Sequence, residues 1–178
     1  MPLGKKASPP GGYTGNTAYK KTLTEDQVQK WTRSNRHGNI ALRMPSGVVG
    51  IDVDAYLKGG TLKEGDVTLR RLVEKYGPLP RTVMSTARPE SVGHLLYRLP
   101  KILVDDPELG QVEMPVILPS VPGPGIEALQ HHHRYSVVWP STNPDADDAM
   151  YRFWLPDRDY DGADFWEKRH LADEGYVP

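Results

Sequence analysis

Cysteine is absent from the 178 residues. Its absence excludes disulfides, thiolate zinc sites and cysteine nucleophiles together, and it fits a reducing cytoplasm, the expected location. Any metal must then be held by oxygen and nitrogen, and a carboxylate site favours a hard ion such as Mg²⁺ or Mn²⁺. No apolar run approaches the ~18 residues that span a bilayer, so no membrane partner is expected. A charged-then-apolar amino-terminal signal is missing too, and nothing points to export. The chain has no Gly-x-x-x-x-Gly-Lys-Ser/Thr loop, no Gly-x-Gly-x-x-Gly after a strand and no Gly-x-Ser-x-Gly elbow. A P-loop ATPase, a dinucleotide enzyme and an α/β-hydrolase are therefore disfavoured. Phenylalanine occurs only twice, and the tyrosines and tryptophans form no evident stacking motif.

What is present begins with an uneven charge. The net charge of −1 averages a basic front and an acidic remainder. Residues 1–50 carry eight Lys/Arg against two Asp/Glu, and the rest carry fourteen against twenty-one. The basic front is either a solvated tail or a phosphate-binding surface, with acids further on to gather metal.

Residues 1–20 read as a Pro/Gly-rich arm, and residues 21–178 as one compact domain or two small lobes sharing a core. Thr24 with Gln27 predicts a capping box opening a helix to about Ser34 that buries Val28 and Trp31. Asn39–Arg43 is a short strand, and Val48–Asp54 a largely buried one rich in β-branched residues. Asp66–Tyr76 has helical spacing and stops at Gly77-Pro78. Thr82–Thr86 and His94–Leu99 form an antiparallel pair around a polar loop. Residues 100–125 are irregular with short strands; Ile126–Gln130 and Tyr135–Trp139 are strands, Pro140–Asp148 a turn and Met150–Trp154 a strand. Asp164–Leu171 is expected to be a helix. Helices mixed with hairpin-like strands give an α+β fold.

Asp52-Val53-Asp54 is the first chemical signal. Strand alternation puts both carboxylates on one face and Val53 in the core. Two like charges so close repel, and a divalent cation relieves the conflict; otherwise they form a solvated strand end. Glu127 opens an apolar strand, and spacing does not choose between a solvated end and a third ligand. His94 begins another strand, either as an edge residue or as a hydrogen-bond donor to phosphate. His131-His132-His133 makes a poor zinc site because adjacent strand residues alternate faces. One of them, with Arg134, is better placed to face the cleft of Glu127 and contact phosphate. Arg88 is either a solvated loop arginine or a further phosphate contact.

Taken together, a set of short segments carries a resemblance. They are Pro9-Pro10-x-Gly12-Tyr13-Thr14-Gly15, Gly38-Asn39-Ile40-Ala41-Leu42-Arg43-Met44-Pro45, and Val48-Val49-Gly50-Ile51-Asp52-Val53-Asp54-Ala55-Tyr56. Gly77-Pro78-Leu79-Pro80, Ser85-Thr86-x-Arg88, His94 ahead of Tyr97-Arg98-x-Pro100, Ile126-Glu127-x-x-Gln130 and His133–Ser141 complete the set. In this order, over roughly residues 5–155, the chain resembles the bifunctional primase–polymerase (Prim-Pol) domain of the archaeo-eukaryotic primase superfamily, particularly actinobacterial and phage versions.

The resemblance implies a small α/β module packed on a mostly antiparallel sheet like that of an RNA-recognition module. It implies a DNA primase/polymerase of DNA replication that transfers nucleotides by a two-metal mechanism, using Mg²⁺ or Mn²⁺, in the host cytoplasm if phage-encoded. Asp52, Asp54 and Glu127 would be the catalytic metal ligands, and His94 would meet the phosphates of the incoming nucleotide. Arg88, Ser91, His133 and Arg134 would complete the nucleotide site, with Ser91-Val92-Gly93 departing from the family's usual Ser-Gly-Gly. Partners would be a DNA template and primer, dNTP or NTP, and a helicase, fused or separate. Lys5, Lys6, Lys20 and Lys21 would track the template backbone. Two rivals stand beside it: a non-catalytic module that binds single strands, indifferent to divalent metal and to loss of Asp52, and a metal-dependent nuclease using the same acids.

Overall fold

The computed structural model describes residues 23–34, 38–45, 47–88, 92–100, 102–106, 108, 110–114, 122–131, 134–162 and 168–170. The expected arm with Lys5, Lys6, Lys20 and Lys21 lies outside the described residues, as do Ser91, His132 and His133. The fold is α+β.

Helix α1 (Glu25–Ser34) opens with the expected capping box: the Thr24 N–H donates to Gln27 Oε1 at 3.0 Å and the Gln27 N–H to Thr24 Oγ1 at 3.3 Å. Its expected burial is corrected. No residue of α1 is buried, and Val28 is 45% exposed. Two apolar positions among Glu25, Asp26, Gln27, Gln29 and Lys30 make too narrow a stripe to hold the helix on a core. Its cap and the Gln29–Glu25 and Arg33–Gln29 side-chain bonds support it instead.

The strands are β1 (Ile40–Leu42), β2 (Val48–Val53), the hairpin β3 (Leu57–Lys58) and β4 (Thr61–Leu62), β5 (Met84–Thr86) and β6 (His94–Arg98). After them come the hairpin β7 (Ile102–Asp106) and β8 (Gly110–Met114), then β9 (Ile126–Leu129), β10 (Ser136–Val138) and β11 (Thr142–Asn143). The last are β12 (Ala149–Met150), β13 (Arg152–Pro156) and β14 (Lys168–His170). Six of them form one sheet in the order β14-β13-β5-β6-β2-β9, every pair antiparallel. The expected β5–β6 hairpin is therefore present.

Helix α2 (Gly65–Tyr76) lays Leu69 and Val73 on one face of this sheet. They meet Val53, Met84, Leu95, Ile126 and Tyr160 in the core. Each such aliphatic side chain contributes about 1.5–3 kcal/mol on burial. Gly77, at φ +94°, donates its N–H to Val73 O and ends the helix where expected.

One sequence expectation is revised. Lys168–His170, expected within a helix, pairs as a strand with Pro156–Trp154. The outer edge of β13 presents unpaired backbone groups, and pairing satisfies them whatever the local helical preference. The two strands expected around His131–Arg134 are present and lie in different sheets: β9 joins β2, whereas β10 pairs with β1. The β1–β10 ladder is prolonged by Asn39, whose side chain donates to Thr142 O and accepts from Thr142 N–H.

Candidate active site

Strand β2 carries Asp52 between two partners. In the antiparallel register Asp52 stands opposite His94 of β6 and opposite Glu127 of β9. Directly paired residues project to the same face, so the three form a row across the sheet. Val53 and Ile126, one residue on, turn into the core on the other face. The alternation expected for Asp52-Val53-Asp54 is thus what positions the row.

Asp54 lies just past the strand and is fixed through its backbone. Its N–H donates to Gly125 O and its carbonyl accepts from Gly65 N–H, both at 2.8 Å. A Cβ on Gly65 would sit 2.4 Å from Gly125 O and 2.6 Å from Asp54 O, so the helix start approaches the acids only because residue 65 has no side chain.

The side chains then connect across the cleft. His94 Nε2 lies 3.2 Å from Asp52 Oδ1, and His94 Nδ1 lies 2.6 Å from the buried Ser136 hydroxyl of β10. A carboxylate only accepts, so Nε2 carries a proton toward Asp52. Tyr56 hydrogen-bonds Asp54. Burial first, then the charge of Asp54, push the Tyr56 phenol far up from its ordinary range, and it stays a neutral donor. The Arg88 guanidinium stacks on the Tyr56 ring, 4.1 Å from its centroid, and donates to the Asp145 carbonyl. Tyr151 closes the far wall, its ring 6.2 Å from that of His94; burial, then Asp52, push its phenol up to about 12.

These residues line a polar cleft of about 70 Å³ whose walls include Asp52, Asp54, Tyr56, Arg88, His94 and Tyr151. A larger, shallow depression of about 560 Å³ lies on α1, and among the described residues that helix alone walls it. Glu127 stands beside the cleft rather than in its wall, and Arg134 holds it at two points, 3.2 and 3.3 Å. Arg134 therefore has the Glu127 carboxylate as its partner. His131 does not line the cleft. Arg43 donates to its Nε2 at 3.1 Å, so Nδ1 carries the proton given to Met44 O at 3.0 Å, and the ring ties β9 to the β1–β2 connection.

The sequence reading missed Tyr56, Tyr151 and Asn143 as cleft residues. Tyr56 was visible in the run that follows Asp54, whereas nothing local marks Tyr151 or Asn143.

A family model for the N-terminal domain of bifunctional DNA primase/polymerases (Prim-Pol) matches residues 1–166. The chain belongs to this family. No curated protein and no solved structure matches it. Membership of the Prim-Pol family gives DNA primase/polymerase chemistry in general terms, with DNA and nucleotides as substrates and divalent metal as the family's requirement. Among the described residues no three His, Asp or Glu side chains are grouped to hold a metal ion. The oxygen donors of Asp52 and Asp54 in one cleft, with Glu127 next in register, nevertheless suit a hard divalent cation in kind. No helix among the described residues is long and apolar enough to cross a membrane.

Proposed function

We propose that this Prim-Pol domain is a template-directed nucleotidyltransferase, a DNA primase/polymerase acting by two-metal phosphoryl transfer in DNA replication. The observation that carries the proposal is the placement of Asp52 and Asp54 in one cleft faced by His94 and Arg88. Asp52, Asp54 and Glu127 would hold Mg²⁺ or Mn²⁺, which when bound supplies neutralisation of phosphate charge and a lowered pKa for a primer hydroxyl.

The chain's own groups do the rest. His94 donates toward Asp52 and orients that carboxylate. Arg88, fixed on Tyr56, offers a planar cation to a phosphate oxygen. Ser91 and His133 complete the nucleotide site in this reading, and residues 21–178 act as one catalytic domain of two lobes behind a basic arm. A helicase, fused or separate, is the proposed replication partner.

The test is extension of an end-labelled primer on a DNA template with dNTPs and Mn²⁺ or Mg²⁺. Wild type lengthens the primer, and the Asp52→Ala/Asp54→Ala double variant does not. Metal-indifferent DNA binding without extension by either protein would establish the single-strand-binding alternative. Shortening of the strand would establish a nuclease.

A further inference from the structure

Tyr56 belongs to neither set of groups named for the reaction, yet it touches both. Its hydroxyl bonds Asp54, an acid of the cleft, and its ring face carries Arg88, a cation from another part of the chain. The two contacts use different parts of one rigid side chain, the polar tip and the π-face. Lys63 N–H donates to the Tyr56 carbonyl at 2.9 Å and closes the β3–β4 hairpin, so the backbone that aims the ring is itself held.

The Arg88 backbone N–H donates to Thr86 Oγ1 at 3.0 Å, and its guanidinium reaches across to donate to the Asp145 carbonyl. Without the ring beneath it, a long arginine side chain gains rotamer freedom, and a phosphate must then order it on binding.

We propose that Tyr56 is a positioning residue that sets the Arg88 guanidinium over the cleft for the triphosphate of an incoming nucleotide and, through its hydroxyl, fixes the carboxylate of Asp54. The proposal rests on the nucleotidyltransferase reading of the same cleft. It divides the side chain into two separable functions. The ring serves nucleotide affinity through Arg88, and the hydroxyl serves divalent-metal affinity through Asp54.

The experiment compares wild type with Tyr56→Phe, Tyr56→Leu, Arg88→Ala and the Tyr56→Leu/Arg88→Ala pair. Binding of dGTP is measured by calorimetry in Ca²⁺, and primer extension is titrated with Mn²⁺. Tyr56→Phe keeps the ring, so dGTP affinity stays within about twofold of wild type while the half-saturating Mn²⁺ concentration rises severalfold. Tyr56→Leu loses dGTP affinity by roughly threefold to tenfold, the range of a partly desolvated cation–π contact. The double variant binds dGTP no more weakly than Arg88→Ala alone, because the ring acts only through the guanidinium. A general loss of folding would depress Tyr56→Phe and Tyr56→Leu alike and add to the Arg88 effect, which overturns the proposal. Wild-type dGTP affinity in Tyr56→Leu overturns it while leaving the nucleotidyltransferase reading intact. Failure of wild type itself to bind dGTP and extend a primer removes both.

Discussion

Arg134 grips Glu127 by two contacts, Nε to Oε2 at 3.2 Å and Nη2 to Oε1 at 3.3 Å, one strand away from Asp52. The arginine is in the left-handed region at φ 69°, a conformation that non-glycine residues adopt infrequently. Both side chains are more than a third exposed, so the pair adds only about 0–1 kcal/mol to stability.

That pair yields the first prediction. If Glu127 is a metal ligand, Arg134 competes with the metal for its oxygens. Arg134→Met then changes stability by less than about 1 kcal/mol. It lowers the Mn²⁺ concentration for half-maximal extension, measured by metal titration at saturating dNTP. An unchanged metal requirement with a raised KM for dNTP would place Arg134 on the nucleotide instead.

A second prediction concerns the other end of the row. His94 contacts Asp52 with one ring nitrogen and the buried Ser136 hydroxyl with the other. Ser136→Ala leaves Nδ1 without that partner inside the protein, at a cost of about 1–3 kcal/mol. The imidazole also loses the contact that steadies its ring from the Nδ1 side, so extension slows even well below the melting temperature. Denaturant unfolding and single-turnover extension, run on the same preparation, check the two halves. Full wild-type turnover in a destabilised variant would mean that the Ser136 contact serves folding alone.

Alkaline pH tests the tyrosines. Burial, then the charge of Asp52, push Tyr151 up to about 12; burial, then Asp159, do the same for Tyr97. An unfolded tyrosine ionises near about 10. Below that pH both states keep the proton and the stabilisation is complete. As pH climbs from about 10 through about 12 the unfolded chain releases protons first, and stability falls. Thermal melts between pH 9 and 12 will show the decline, and Tyr151→Phe will make it shallower. An identical slope in Tyr151→Phe would contradict the burial argument for that ring.

What the sequence disclosed and what it hid follow from the range of the interactions. The Asp52/Asp54 face, the α2 stop at Gly77 and the Thr24–Gln27 box are set within a few residues, and all three stand in the structure. The register that sets Asp52 beside both His94 and Glu127 joins segments far apart in the chain, so spacing left Glu127 undecided. Only the family resemblance pointed to it. The strand at Lys168–His170 carries no alternating apolar pattern and forms against the edge of β13, a partner the local sequence does not announce. The capping box at α1 correctly located a helix start but carried no information about whether Val28 would find a core.

The approach of α2 to the acids gives the last prediction. Gly65 begins the helix with its N–H bonded to the Asp54 carbonyl, and Gly125, at φ 71°, lies against it from the turn before β9. A methyl group at residue 65 would meet two backbone oxygens, which cannot rotate aside as a flexible side-chain tip would. Gly65→Ala must therefore separate the helix start from the Asp54 and Gly125 segments. Overpacking of this kind costs about 1–3 kcal/mol. Because Asp54 and Glu127 are carried by those two segments, the displacement reaches the proposed metal ligands as well. Extension should fall by more than the loss of folded protein accounts for, with a higher Mn²⁺ requirement. Gly47→Ala is the comparison: its φ of +75° strains a substituted residue, but no atom of the described residues lies within 4 Å of the added carbon. It should lower stability while leaving the metal requirement of the folded fraction unchanged. Equal metal requirements in the two variants would show that the close packing at Gly65 does not govern where the carboxylates stand.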